Sequence, residues 1–464
     1  MKLNILIGGR AGQGINKVSG ILSNILSDYN YFTFNYRDYP SLIRGGHNFN
    51  IIGVSDKKIG SNESKVDIII ALDDKTIEIH KKELKKNGII IGCKEFCDIG
   101  RNSNIAQAGA LIKTLGISNE ELIKAIKKEF PENKEAISSA ERGYNSCEIK
   151  FNLKKLNSNI TFRMNGGHGI SEGAINSGIN IYLAYPMTPA TNVMHELAAK
   201  ELEKGHIVFE AESEITVVNA ALGASFTGAK AMVGTSGGGF DLMTEGLSFQ
   251  GMAEIPLVVY LASRPGPGTG VPTYSSQADL DVSLRGGHGE FPRIVIAPGD
   301  PIECIEKTNE AFYLSNKFNC LSIILSDKHL AEGEFSTDRK PNKIIDVKIN
   351  RKIPGRGAGT IKATSYEHDS FGNTTEDAII TKKSADARIA KYENIKKECK
   401  KMEMIKIYGN PNAKNLVIGW GSTKTAILDA LDSIDNSIEN RRGKWKFLQV
   451  LYLKPLSDEI KKEI

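Results

Sequence analysis

The residues most suited to chemistry sit where an apolar run gives way to glycine, threonine or acid. The first such place is GGRAGQG, Gly8 to Gly14, between a strand-like run and a helix-like one. Gly9, Gly12 and Gly14 would let the backbone approach a ligand, and a helix N-terminus offers free N–H groups to a phosphate. The spacing is neither a Walker loop nor quite a dinucleotide fingerprint, so a tight strand–helix turn stays open as the alternative. In YPMTPAT, Tyr185 to Thr191, Thr188 stands where an N-cap belongs and Pro189 at the first helical position. Thr188 then either only caps the helix or aims its hydroxyl at a carboxylate. Glu212 and Glu214 follow in FEAESEITVVNAALGAS, after a strand and at the start of a helix. Acids favour a helix N-terminus for electrostatic reasons alone. A functional glutamate would instead point across an interface at a cofactor nitrogen, and the sequence does not choose between the two. TSGGGF, Thr235 to Phe240, is another strand–glycine–helix turn, and LASRPGPGTG ends a strand with Arg264. Arginine at such an edge suits bidentate carboxylate binding or a surface salt bridge. Thr269, among glycines, could reach the same ligand.

Two other patterns invite a metal or redox reading. GGH occurs three times, ending at His47, His168 and His288. The flanks do not match and no ligand spacing accompanies them, so no metal site is expected. The 6 cysteines include no Cys-x-x-Cys; Cys93 and Cys97 are the closest pair, and no iron–sulfur ligand set is present.

The elements that must position these residues read as α/β. The chain has 464 residues, 40% hydrophobic and 25% charged, the balance of a globular protein of about three domains. Net charge is +5 and dispersed, which argues against nucleic-acid binding. No apolar run approaches ~18 residues, so no membrane span is expected, and a cytoplasmic location follows from the lack of a signal-like start. Residues 1–155 alternate strand and helix signals, which predicts a parallel sheet. Its strands are expected near Leu3–Ile7, Val66–Leu72 and Gly88–Gly92, with a helix at Ile15, Val18, Leu22 and Ile25. Residues 160–346 predict a second, doubly wound sheet. Residues 347–410 read as a polar linker with a charged helix near Ser384–Met404, and 411–464 as a partial domain. There, one strand–helix–strand unit alone is too little for a stable sheet.

Taken in order, these motifs resemble the alpha subunit of the 2-oxoacid:ferredoxin oxidoreductases, in the form with a gamma-type domain fused at the N-terminus and closest to the 2-oxoglutarate type. GGRAGQG and YPSLIRGGHNFN resemble the gamma domain. YPMTPAT, ESEITVVNAALGAS, GTSGGGFDLM, PGPGTGVPTYSSQADL and GGHGEFPR resemble the domain that binds the pyrimidine side of thiamine diphosphate. EHDSFGN marks the linker, and GWGST resembles the start of a transketolase-C-terminal-like domain. The resemblance implies oxidative decarboxylation of a 2-oxoacid with coenzyme A, giving an acyl-coenzyme A, CO2 and reduced ferredoxin. It carries the glutamate that touches the aminopyrimidine N1′ onto Glu214, the substrate threonine onto Thr188 and the carboxylate-binding arginine onto Arg264. Thr269 and Tyr185 fall at further substrate-side positions. Mg2+, the diphosphate and the [4Fe-4S] cluster are implied to sit on a beta subunit, in an αβ or (αβ)2 assembly. Coenzyme A contact is expected at Gly9, Gly12 and Gly14. One departure stands out: NGGHGISEG places Gly167 and His168 where the family often has Asn and Glu. That departure and the short last domain leave a non-catalytic scaffold subunit as the competing expectation, alongside an aryl- or branched-chain specialist.

Overall fold

The computed structural model describes residues 1–42, 45–157, 160, 162–357, 359–437 and 443–464. Ile43 and Arg44 of YPSLIRGGHNFN and Ala358 of the linker lie outside the described residues. The chain divides into two compact units, Met1–Met164 with Gly333–Lys340, and Asn165–Glu332 with Pro341–Ile464.

The first unit is built on a seven-stranded sheet. Its order is Leu84–Ile91, Val66–Ala71, Lys2–Arg10, His47–Ser55, Phe32–Asp38, Glu334–Thr337 and Phe162–Met164. The sheet is mixed, which corrects the expected parallel one: Lys2–Arg10 pairs parallel with Val66–Ala71 but antiparallel with His47–Ser55 along its whole length. The unexpected strand His47–Ser55 carries Asn48 and Asn50, which interrupt the apolar pattern. Burial of Asn50 is compensated by its Nδ2, which donates to Asn16 Oδ1 at 3.0 Å and Ser19 Oγ at 2.9 Å. Helix Ile15–Asp28 buries Val18, Ile21, Leu22, Ile25 and Leu26, the stripe that the 3.6-residue period demands. Helices Ser103–Thr114 and Lys134–Asn145 cross at glycines: a Cβ on Gly109 would fall 2.0 Å from Ala140 O.

The second unit holds another seven-stranded sheet, ordered Tyr452–Lys454, Arg293–Ile296, Leu321–Asp327, Leu257–Ser263, Ala231–Thr235, Ile181–Ala184 and Ile207–Glu210. All neighbours are parallel except Tyr452–Lys454. Near-continuous apolar strands such as Leu257–Ser263 and Leu321–Asp327 are buried throughout, as a sheet covered on both faces requires. The chain goes from Ile181–Ala184 to Ile207–Glu210 on one side, then returns to Ala231–Thr235 on the other. That reversal is a topological switch point, where such sheets open a crevice at their carboxyl edge.

The C-terminal segment does not rest on one strand–helix–strand unit. Ile405–Gly409, within the stretch read as linker, pairs antiparallel with Trp445–Val450, and Asn415–Gly419 pairs parallel with it. The chain then continues into Tyr452–Lys454 on the larger sheet. A buried ionic cluster joins the two sheets. Lys424 Nζ bonds Asp300 and, at 2.6 Å, Glu303 Oε1, while Glu303 Oε2 accepts from Gln449 Nε2 at 2.7 Å. Burial works against the Lys424 charge, but Asp300 and Glu303 outweigh it and hold its pKa up.

Candidate functional site

The crevice at the switch point is lined by the turns after four strands. The turn after Ile181–Ala184 carries Tyr185 and Thr188. Here the expected N-cap is corrected: the helix runs Thr191–Lys204 with Ala190 at the cap position. A tight turn intervenes, closed by Ala190 N donating to Met187 O at 2.8 Å. Thr188 is thereby released from capping. Its carbonyl accepts from Arg264 Nη1 at 2.9 Å, which joins two of the expected site residues across the crevice. Tyr185 is exposed beside them.

Glu214 is the first residue of helix Glu214–Phe226, whose cap is Ser213 accepting from Thr216 N at 3.3 Å. The helix end is therefore already capped without Glu214. Its side chain turns inward instead: the residue is 3% exposed, and its Oε1 is buried with no hydrogen-bond partner. A carboxylate oxygen in that position costs free energy unless something donates to it. The space beside it exists because residue 239 is glycine: a Cβ there would fall 2.6 Å from Glu214 Oε1 and 2.2 Å from Thr235 Oγ1. Glu212, by contrast, stays exposed.

Arg264 follows strand Leu257–Ser263 and is half-buried. Burial lowers its pKa, and Asp279 and Glu214 pull it back up, so the three charges share one field. The loop beyond it folds on itself, with Val271 N donating to Pro265 O at 3.0 Å. Gly270 has φ +58, and a Cβ there would meet Pro265 O at 1.6 Å, so only glycine fits this turn. Thr269 is exposed on the loop.

Asp279 belongs to this site and sequence reasoning missed it. Its Oδ2 is buried without a partner, and a Cβ on Gly237 would lie 2.3 Å from its Oδ1. Burial raises its pKa; the Ser263 hydroxyl, and to a smaller extent Arg264, oppose the rise. Ser236 also presents a buried hydroxyl without a partner. A signal existed in the Q-x-D spacing: Gln277 Nε2 donates to Trp420 O at 3.0 Å and so anchors the segment that carries Asp279. Nearby, Ser422 Oγ of GWGST donates to Asp327 Oδ2 at 2.5 Å, at the carboxyl end of strand Leu321–Asp327.

The remaining expected positions fall elsewhere. Strand Lys2–Arg10 runs through Gly8 and Gly9, so the glycine loop proper is shorter than the motif. Gly9 is covered by Gln13 and Leu72, Gly14 by Asn104, and only Gly12, at φ +91, has open space. The Gln13 side chain takes the Arg10 N–H at 2.6 Å, which a bound anion would otherwise use. The three GGH histidines lie apart: His47 Nε2 meets His80 Nε2 at 2.8 Å, His168 Nδ1 meets Glu196 at 3.0 Å, and the His288 N–H bonds Ser248 Oγ at 2.8 Å. His168, at the departure from the family pattern, therefore ties helix Gly166–Asn176 to helix Thr191–Lys204.

Comparison with known proteins gives the family. A family model described as pyruvate flavodoxin/ferredoxin oxidoreductase, thiamine diphosphate-binding, matches residues 172–404, and one described as pyruvate ferredoxin/flavodoxin oxidoreductase matches residues 4–97. A 2-oxoacid:ferredoxin oxidoreductase alpha subunit from a Sulfolobus species is 29% identical, the alignment covering 93% of this chain and 84% of that one. A 2-oxoglutarate synthase subunit KorA from Archaeoglobus fulgidus is 31% identical, over 56% of this chain and 72% of that one. A solved 2-oxoglutarate:ferredoxin oxidoreductase from Magnetococcus marinus has the same fold, with a TM-score of 0.89 at 23% identity, covering 99% of this chain and 90% of that chain. The chain belongs to the pyruvate flavodoxin/ferredoxin oxidoreductase family, as a 2-oxoacid:ferredoxin oxidoreductase alpha subunit that carries the family's thiamine diphosphate-binding domain.

Proposed function

We propose that this alpha subunit works with a beta subunit to decarboxylate a 2-oxoacid oxidatively, with 2-oxoglutarate the first choice. The products are an acyl-coenzyme A, CO2 and reduced ferredoxin. The observation that carries the reading is the buried, unpartnered Glu214 Oε1 in its glycine-made recess, with Arg264 in the same field. An acceptor of that kind fits a ring N–H of the thiamine aminopyrimidine. When bound, thiamine diphosphate supplies the electron sink that decarboxylation needs. Glu214 holds a proton at N1′ of that ring, which is the acid–base contribution of this chain. Arg264 binds the substrate carboxylate, and its tie to the Thr188 carbonyl fixes where that carboxylate sits. The Thr188 hydroxyl, Tyr185 and Thr269 complete the substrate side.

The rest of the cofactor set belongs to the partner in this reading: Mg2+ with the diphosphate, and the [4Fe-4S] cluster that passes electrons to ferredoxin. An exposed apolar surface beside the site supports such a partner. Ile215 is 52% and Leu242 51% exposed, on the two helices that flank Glu214 and Gly239. Of the three glycines assigned to coenzyme A, Gly12 is the one whose surroundings leave room for it. Among the described residues no helix is long and apolar enough to cross a membrane, which accords with a cytoplasmic enzyme.

The test is Glu214→Gln in the reconstituted complex. Loss of thiamine-dependent turnover by at least about 10²-fold, with assembly intact, is expected for a removed acid–base group. Unchanged turnover would remove Glu214 from the mechanism.

A further inference from the structure

Away from the crevice, the second unit contains a cavity of about 640 Å³. Its walls come from helix Leu280–Arg285, the GGHGEFPR segment, strand Arg293–Ile296, helix Ala378–Cys399 and Lys454. Four cations line it, Arg285, Arg293, Arg388 and Lys454, with one carboxylate, Glu290.

Arg293 is the unusual one. It is only 3% exposed, yet among the described residues no carboxylate lies within ion-pair distance of it. Its guanidinium stacks 4.4 Å from the centre of the Phe291 ring, and its Nη1 reaches Ser283 O at 3.4 Å. Those contacts use one face and one of five N–H groups. Burial pushes its pKa down to about 10, so it stays charged at neutral pH. Lys454 Nζ donates to Leu284 O at 3.1 Å and has no carboxylate partner among the described residues either. Burial depresses its pKa, and Arg293 and Arg285 depress it further, so the three cations feel one another; Glu290 is the acid that opposes this. Arg388, on the far wall, shows the contrast, because Glu367 takes both of its terminal nitrogens.

A buried charge without a counter-ion is expensive, and native structures pair such groups. Glu290, the one carboxylate in the lining, is exposed, and among the described residues it forms no ion pair with Arg293, so an anion bound in the cavity would supply the pairing. Apart from Glu290 and the Glu367-paired Arg388, the rest of the lining is aromatic, apolar or glycine, including Phe291, Tyr392, Ile389 and Pro292. The volume lies in the range of small-molecule sites. We propose that this cavity binds a phosphate-bearing small molecule with a flat ring, of the mononucleotide class, its phosphates against Arg285, Arg293 and Lys454 and its ring beside Tyr392 and Ile389. The site is independent of the catalytic reading and is made of different residues.

The test uses the full chain assembled with its beta partner and titration calorimetry with ADP, inorganic phosphate and citrate. One ADP per alpha chain is expected, at least about tenfold tighter than inorganic phosphate because the ring stacks. Citrate, with charge but no ring, should resemble phosphate. Arg285→Gln combined with Lys454→Gln should weaken ADP by about tenfold or more while the complex assembles and melts as before. Glu290→Gln should tighten it, since the opposing charge is gone. Rising salt should weaken it. The proposal is overturned if the assembled complex binds no ADP, or if citrate and phosphate bind as tightly as ADP. It is also overturned if the double variant binds ADP unchanged, which would place the nucleotide at another site. Because binding is read without turnover, a complex that binds ADP but decarboxylates nothing would refute the catalytic reading alone.

Discussion

At position 239 a single methyl group would fall 2.6 Å from Glu214 Oε1, so Gly239→Ala tests the recess without touching a charge. Turnover of the complex should fall by more than about tenfold, and stability by about 1–3 kcal/mol, because the methyl also meets the buried Thr235 Oγ1 at 2.2 Å. Asp279 gives a pH signature. Its raised pKa means that it ionises above the ordinary carboxylate range, and once ionised it competes with a substrate carboxylate for Arg264. KM for the 2-oxoacid should therefore rise with pH in the wild-type complex and stay flatter in Asp279→Asn. A wild-type KM that falls with pH would contradict this. Glu214, Thr188 and Arg264 could be picked out as candidates because each sits in a compact motif at a strand end. Asp279 was not, because its role depends on Gly237 and Gln277, brought to it only by folding. Thr188 misled as a cap, since the residue type suits capping but the intervening turn moves the helix start to Thr191.

Helix Ala378–Cys399 is held to helix Pro301–Phe318 by Glu398, which meets Tyr313 at 2.9 Å and Lys317 at 2.9 Å, with Lys401 at 2.9 Å from its own segment. Burial works to raise the Glu398 pKa, but these donors outweigh it and bring it from the ordinary 4.5 to about 2. Its folded pKa is thus below its unfolded one. The stabilisation, about 3 kcal/mol at most, is present above pH 4.5 and is lost as pH falls towards 2. Glu398→Gln should lower the melting temperature at pH 7, and the gap to wild type should shrink as the pH falls below 4.5. A constant gap would mean that the charge contributes nothing. At this scale the long apolar strands and the helix Ile15–Asp28 were readable from periodicity. The antiparallel strand His47–Ser55 was not, because buried asparagines hide its pattern. The small C-terminal sheet also escaped, because Ile405–Gly409 is half-exposed and lies in a charged stretch that reads as linker.

For the molecule as a whole, the C-terminal segment is fastened to the second unit through Lys424, Asp300 and Glu303. Lys424→Met would leave Asp300 and the buried Glu303 with one cation fewer, Lys406 remaining on Glu303 at 3.2 Å, a loss of up to roughly 3–5 kcal/mol. Equilibrium unfolding should show it, and a change below about 1 kcal/mol would mean that the cluster acts as a surface pair. The apolar flank at Ile215 and Leu242 and the partner-held cofactors of the proposed function make the alpha chain alone inactive in this account. The central claim is met most directly by anaerobic co-expression with the beta partner. The measurement is reduction of a low-potential dye by 2-oxoglutarate and by pyruvate, with and without thiamine diphosphate and coenzyme A. The account predicts reduction that needs both, with 2-oxoglutarate the faster substrate. An assembled complex with its cluster in place and no thiamine-dependent reduction with either acid would contradict it.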